Sequence, residues 1–153
     1  MITKVVSGGQ TGVDRAALDV AREQGIPCGG WCPKGRRAED GSILPHYPVI
    51  ETPSVDYAQR TEWNVRDADG TLVLTRGPAT GGTALTLEIA HRLRKPYLVL
   101  DLGEEPSPAA VQGWADQNRI TTLNIAGPRE STAPGIYEQA RQFLHTALLL
   151  HRR

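Results

Sequence analysis

Short apolar runs alternate along this chain with segments of helical periodicity, and two of the junctions between them are built almost wholly of glycine and hydroxyl residues. Ser7-Gly8-Gly9-Gln10-Thr11-Gly12 follows the run Ile2 to Val6, and Thr80-Gly81-Gly82-Thr83 follows Leu72 to Leu74. Further apolar runs stand at Val49 to Ile50, Tyr97 to Leu100 and Leu123 to Ala126. Such alternation leaves few architectures open. A strand that returns through a helix to a parallel neighbour crosses over right-handedly in nearly all folds, so repetition predicts a mostly parallel sheet with helices on both faces.

The helical segments carry their own start and stop signals. Val13, Ala16, Ala17, Val20 and Ala21 recur at the spacing of one helix face, with Asp14, Arg15, Asp19, Arg22 and Glu23 elsewhere, and Gly25 with Pro27 ends the helix. From about Gly82 to Arg94 a second helix finishes in His91, Arg92, Arg94 and Lys95, cations where the dipole favours them, before Pro96. A third opens at Ser107-Pro108, read as a capping serine followed by proline at the first helical position. The last follows Pro134; its stripe Ile136, Ala140, Phe143, Leu144, Ala147 and Leu148 is widened by Leu149 and Leu150. That surplus suits a subunit contact, and a homo-oligomer, dimer or tetramer, is expected. The 153 residues fit one domain, residues 1–153, with a Rossmann-like three-layer α/β/α arrangement. Only Trp31 to Pro48, rich in glycine, proline and charge, is long for a connection, and such loops tend to be functional.

Composition removes several functions. Lysine plus arginine and aspartate plus glutamate number 17 each, so no global basic field marks a nucleic-acid binder. No apolar stretch approaches the ~20 residues of a membrane span, and no signal peptide is legible, so a cytoplasmic location is expected. Cys28 and Cys32 have neither redox nor zinc spacing and are read as structural, although Lys34 and Arg36 near Cys32 would lower a thiol pKa. His46, His91, His145 and His151 form no metal motif, so no metal site is assigned. The glycine loops lack the lysine of a Walker A sequence and the spacing of a dinucleotide fingerprint, and no G-x-S-x-G is present.

What remains is anion binding. Glycine lets backbone N–H groups approach a ligand, and the following helix offers unpaired donors with partial positive charge. Gly8, Gly9, Gln10, Thr11 and Gly12 in the first loop and Thr80, Gly81, Gly82 and Thr83 in the second are therefore candidate ligand contacts. Lys34, Arg36 and Arg37 on the long loop could clamp a negative group, and Arg76 stands at the carboxyl end of a strand, where ligands of parallel sheets sit. Trp63 reads as core in preference to a ligand stack.

Four strings in order carry a family resemblance: Ser7 to Asp19 (SGGQTGVDRAALD), Gly29 to Gly41 (GGWCPKGRRAEDG), Arg60 to Gly70 (RTEWNVRDADG) and Thr80 to Thr83 (TGGT). Over residues 1–100 the chain resembles the molybdenum cofactor (MoCo) carrier-like family of the SLOG, or lysine-decarboxylase-like, Rossmannoid superfamily. The resemblance implies an oligomeric Rossmann-like subunit that carries or stores an anionic phosphorylated pterin, the molybdenum cofactor (molybdopterin), and that need not catalyse a reaction. Distant relatives in that superfamily are phosphoribohydrolases with a P-G-G-x-G-T-x-x-E signature. Thr80 to Glu88 departs from it at the proline and in the G-T spacing. The alternative is therefore a nucleoside 5′-monophosphate phosphoribohydrolase with Glu88 and Arg76 as its working residues, or a nucleotide-sensing module.

Overall fold

Five parallel strands form the central sheet of the computed structural model, which describes residues 1–151. They are β1 (Lys4–Val6), β2 (Cys28–Gly29), β7 (Gly70–Thr75), β8 (Tyr97–Asp101) and β9 (Thr122–Ala126), in the order β2-β1-β9-β7-β8. Register pairs Val5 with Cys28 and Leu123, and Leu72 with Leu98 and Ile125. Between β2 and β7 lie two small ribbons outside this sheet: β3 (Trp31–Cys32) pairs with β6 (Ile50–Glu51), and β4 (Arg37–Ala38) pairs with β5 (Gly41–Ser42).

The helices are α1 (Val13–Glu23), α2 (Tyr57–Asp67), α3 (Gly81–Arg92), α4 (Ala109–Gln117) and α5 (Ile136–His151). On one face α1, α4 and α5 pack together, burying Val13, Ala16, Ala17, Val20, Ile136, Ala140 and Leu144 against Val5, Leu72, Leu123 and Ile125. On the other, α2 meets α3 through Val65, Ile89 and Ala90. This is the three-layer α/β/α arrangement that the alternation predicts. Begun at β7, the strands run 2-1-3-4-5, one of the two common doubly wound orders, so the chain follows that order with its start displaced. β7 feeds α3 on one face and β9 feeds α5 on the other, which puts the switch point, and the crevice it creates, between these neighbouring strands.

Local signals resolve in detail. Gly25 adopts φ +71° after α1, and the N–H of Ile26 donates to the Ala21 carbonyl at 2.8 Å, closing the helix as expected. α3 stops with Arg94 at φ +56° and the Lys95 N–H on the Ala90 carbonyl, immediately before Pro96.

Two expectations change. Val49 to Ile50 contributes not to the central sheet but to the β3–β6 ribbon, and the missing central strand is β2, only two residues between Pro27 and Gly30. At α4 the cap position falls on Pro108, and no side chain caps the helix. In α5 the stripe is buried except for the half-buried Phe143, whereas Leu149 is 43% exposed; the side chains of Leu150 and His151 lie outside the described residues.

Candidate functional site

A cavity of about 470 Å³ opens at the carboxyl ends of the strands, between the loops that leave β1, β7 and β9 and the first turn of α2. Its volume lies within the range of roughly 300–1,000 Å³ typical of small-molecule sites. Gln10 and Asp14 line it from the first glycine loop and helix, and Thr80, Gly81, Gly82 and Thr83 from the second. Tyr57 and Arg60 come from α2, and Gly127, Pro128 and Arg129 from the loop after β9.

The two glycine loops meet at this cavity in different conditions. In the first, protein atoms already press on the glycines. A Cβ at Gly8 would stand 1.6 Å from Arg60 Nη1, one at Gly9 would stand 2.8 Å from Ile43 Cδ1, and one at Gly12 would stand 2.3 Å from the Pro128 carbonyl oxygen. Gly9 and Gly12 also have φ of +78° and +79°, in the region that favours glycine. Donors of this loop are engaged too: the N–H of Gln10 donates to Asp14 Oδ2, that of Thr11 to Gln10 Oε1, and that of Val13 to the Pro128 carbonyl. The Thr11 hydroxyl donates to Glu39 and accepts from the Glu130 N–H at 3.1 Å.

The second loop is open. An added Cβ at Gly81 or Gly82 would meet nothing within 4 Å. Thr80 occupies the cap position of α3 without a side-chain cap bond, and the N–H groups of Gly81 and Gly82 have no acceptor among the described residues. Unpaired donors at a helix start attract negative groups. The Arg129 guanidinium, on the cavity wall 5.8 Å from the Tyr57 ring centroid and within the electrostatic reach of Glu39, forms no ion pair or hydrogen bond among the described residues.

A buried ion pair forms the floor between the loops. Arg60 Nη1 lies 3.0 Å from Asp14 Oδ2, and the side chains are only 13% and 5% exposed. Burial pushes the Asp14 carboxyl above its ordinary value, and the Arg60 charge and hydrogen bond pull the other way. Gln10 Oε1 accepts the N–H groups of Thr11 and Glu39, at 3.0 and 2.8 Å, which fixes the amide so that Nε2 is its donor side. Gln10 Nε2 and Arg60 Nε are both buried without a partner.

Several residues singled out from sequence stand elsewhere. Arg36 donates to the carbonyls of Ile43, Leu44, Tyr47 and Val49, stitching its own long loop together. Neither it nor the exposed Lys34 and Arg37 lines the cavity. Arg76 binds Gln139 Oε1 and the Pro134 carbonyl, and Glu88 is exposed on α3; both lie outside the cavity lining. Trp63 packs edge-on against Trp31, with ring centroids 4.8 Å apart, and does not line the cavity. Burial raises the thiol pKa of both free cysteines; for Cys32 the Arg36 charge only partly opposes it.

Arg129 and Tyr57 escaped the sequence reading. The signal for Arg129 was present, since Gly127-Pro128-Arg129 immediately follows the strand Leu123 to Ala126, at the end where ligands gather. A second, shallower hollow of about 670 Å³ lies against Thr11 and Gly12. Its polar groups satisfy one another: Arg15 with Asp40, Tyr47 and Tyr137 with Asp19, and Glu39 with Thr11 and Ser131. Burial and Asp19 push the Tyr47 hydroxyl up to about 12. No group of potential metal-binding side chains occurs among the described residues, and no helix there is long and apolar enough to cross a membrane.

Comparison with known proteins gives these features a family. Among curated proteins no sequence matches significantly. A solved crystal structure from Syntrophus aciditrophicus SB, described as a "putative molybdenum carrier protein", shares 47% sequence identity with the chain, with a TM-score of 0.92 over 96% of this chain and 95% of that one. The family model of circularly permutated YpsA SLOG proteins matches residues 5–148, and the displaced start of the 2-1-3-4-5 strand order is what such a permutation produces. The chain therefore belongs to the circularly permutated YpsA SLOG family.

Proposed function

We propose that the cavity carries an anionic, phosphorylated pterin of the molybdenum-cofactor type, held and handed on without conversion. The observation that carries this reading is the open start of α3: the unpaired N–H groups of Gly81 and Gly82 share a cavity with Arg129, whose guanidinium has no hydrogen bond or ion pair among the described residues. An anion at a helix start gains about 0.3–1 kcal/mol, up to about 2 when partly buried, and a charge-assisted bond from arginine adds about 1.5–3. In this reading the phosphate lies against Thr80, Gly81, Gly82 and Thr83, while Gln10 reaches the other end of the ligand. Gly8, Gly9, Thr11 and Gly12 shape the wall that holds Gln10 and Arg60. Family membership and the name given to the Syntrophus relative support cargo of this kind.

The phosphoribohydrolase alternative assigns its acid to Glu88, which is exposed and outside the cavity; the carboxylates that do line it are Asp14 and Asp56. Expression in a host that makes the cofactor, gentle purification and oxidation of the released small molecule to its fluorescent pterin tests the carrier reading. A stoichiometric pterin is expected. Protein that emerges without any pterin, and that releases adenine from adenosine 5′-monophosphate, would replace the carrier with the hydrolase.

A further inference from the structure

The two edges of the central sheet are finished differently. β2 is two residues long, starts directly after Pro27 and is covered by the long loop, whose Pro48 carbonyl would stand 3.2 Å from a Cβ on Gly29. β8 has five residues, pairs with β7 without interruption and has no strand beyond it. Natural edges of this kind are blunted by lysine, proline or a bulge, and Tyr97–Asp101 contains none of them. The neighbouring Lys95 donates from its ammonium to the Ala68 carbonyl at 2.8 Å instead of guarding the edge.

The Pro96 carbonyl accepts the Thr71 N–H of β7 at 3.0 Å. Backbone groups alternate along a strand, so Leu98 and Leu100 also turn toward β7. The N–H and C=O groups of Tyr97, Val99 and Asp101 turn away from it and have no partner among the described residues. Side chains alternate as well. Leu98 and Leu100 pack against the main core, which contains Val111 and Ala115 of α4, whereas Tyr97 and Val99 stand on the α3 face, 42% and 40% exposed. α3 commits Leu85, Ile89 and Leu93 to Val65 of α2. Its Leu87, about 100° round the helix from the buried Thr86, faces the opposite flank and is half-buried.

We propose that a second copy of this chain covers the β8 edge, pairing the two β8 strands antiparallel about a two-fold axis at Val99. In that register Val99 meets Val99 of the second copy and Tyr97 meets its Asp101, each pair exchanging two backbone hydrogen bonds. A two-fold interface must be self-complementary. Here the strand's one charge, Asp101, falls opposite a tyrosine, and its carboxylate already accepts the Gly77 and Gly103 N–H groups. Moving the axis to Asp101 would set carboxylate against carboxylate. On the same face the two α3 helices run antiparallel, and their Leu87 flanks close over Tyr97 and Val99. The edge is about 17 Å long. Two layers deep at that length, it sits at the small end of stable interfaces, so dissociation in the micromolar range is expected.

Sedimentation velocity over a concentration series tests this. The parent should sediment as a dimer at about 100 µM and dissociate on dilution. Val99→Lys brings like charges together at the axis and should weaken association by about a hundredfold or more, as should Val99→Asp. Mixing the two variants should restore a dimer, because only a contact of Val99 with its own equivalent sets opposite charges face to face. Leu149→Lys, on α5, should leave the dimer intact; melting curves identify any variant that fails to fold. The backbone gives a readout that needs no substitution. The amides of Tyr97, Val99 and Asp101 should exchange hydrogen slowly in the concentrated parent and fast after dilution, while those of Leu98 and Leu100 stay protected in both. A parent that is monomeric at about 100 µM, a dimer that survives in folded Val99→Lys, or outward amides that exchange freely in the dimer overturns the proposal. A dimer lost in folded Leu149→Lys but not in Val99→Lys overturns it too, and moves the contact to α5.

Discussion

The two glycine loops look interchangeable in sequence and do opposite work in the molecule. Around Gly8, Gly9 and Gly12 the space freed by the missing side chains is filled by Arg60, Ile43 and Pro128. Around Gly81 and Gly82 it stays empty, with donors exposed to the cavity. Glycine grants close approach without saying what approaches. In the first loop the approaching partner is the protein, which uses it to bury a charge at the floor of the site. In the second, the space is left for something else.

Four changes would break or sharpen this contrast. Arg60→Met should have the largest effect, since removing one partner of a buried pair costs about 3–5 kcal/mol. Its pH dependence has a defined sign: burial already raises the folded Asp14 pKa above the unfolded value, and loss of Arg60 raises it further. Folding of the variant should therefore be most stable in acid and weaken as pH rises through the folded Asp14 pKa. Urea denaturation at pH 4.5 and 7 that showed no such slope would deny the floor its role.

Gly12→Ala comes next, at about 2–3 kcal/mol, because the backbone conformation is strained for alanine and its methyl meets a carbonyl oxygen. A variant within about 0.5 kcal/mol of the parent would mean that the first loop is as open as the second. Gly82→Ala, by contrast, should leave stability unchanged or slightly improved, since its methyl meets no atom. That methyl points into space assigned to the phosphate, and affinity for inorganic phosphate should fall by about tenfold, or 1.4 kcal/mol. Undiminished binding would move the anion elsewhere.

The smallest effect is expected from Glu39→Gln, which loosens the tie between the first loop and Ser131. Burial raises the Glu39 pKa, but the bonds from Ser131 and Thr11 outweigh it and leave the carboxyl below its ordinary value. Its contribution is thus present at neutral pH and lost as pH falls through the folded value. For so exposed a group the change should stay below about 1 kcal/mol, visible as a shallower acid limb in thermal melts.

Much of the fold could be read from the chain because helices of this length carry both a stripe and a stop. β2 could not, since Cys28-Gly29 is too short to display any period, and Val49-Ile50 reads alike whether it joins the central sheet or a side ribbon. At the site, the second loop was legible from glycine content and its place before a helix. The fate of the first was not: the atom against Gly12 belongs to Pro128, far away in sequence, and nothing local to Gly12 announces it. Arg36 misled for a related reason. A cation on a long loop suits an anion, but a loop without regular structure must also satisfy its own carbonyls, and Arg36 serves four of them.

β9 lies between β1 and β7, although it is the last strand to be synthesised. Until it inserts, the sheet exists only as two separate pairs, β2 with β1 and β7 with β8, and neither half of the cavity has its neighbour. Lys4 must wait for Thr122 and Gly70 for Leu123, contacts of long sequence separation that are slow to close. The strand that completes the cavity therefore joins the sheet through its most distant sequence contacts, and neither glycine loop has its opposite wall until it does.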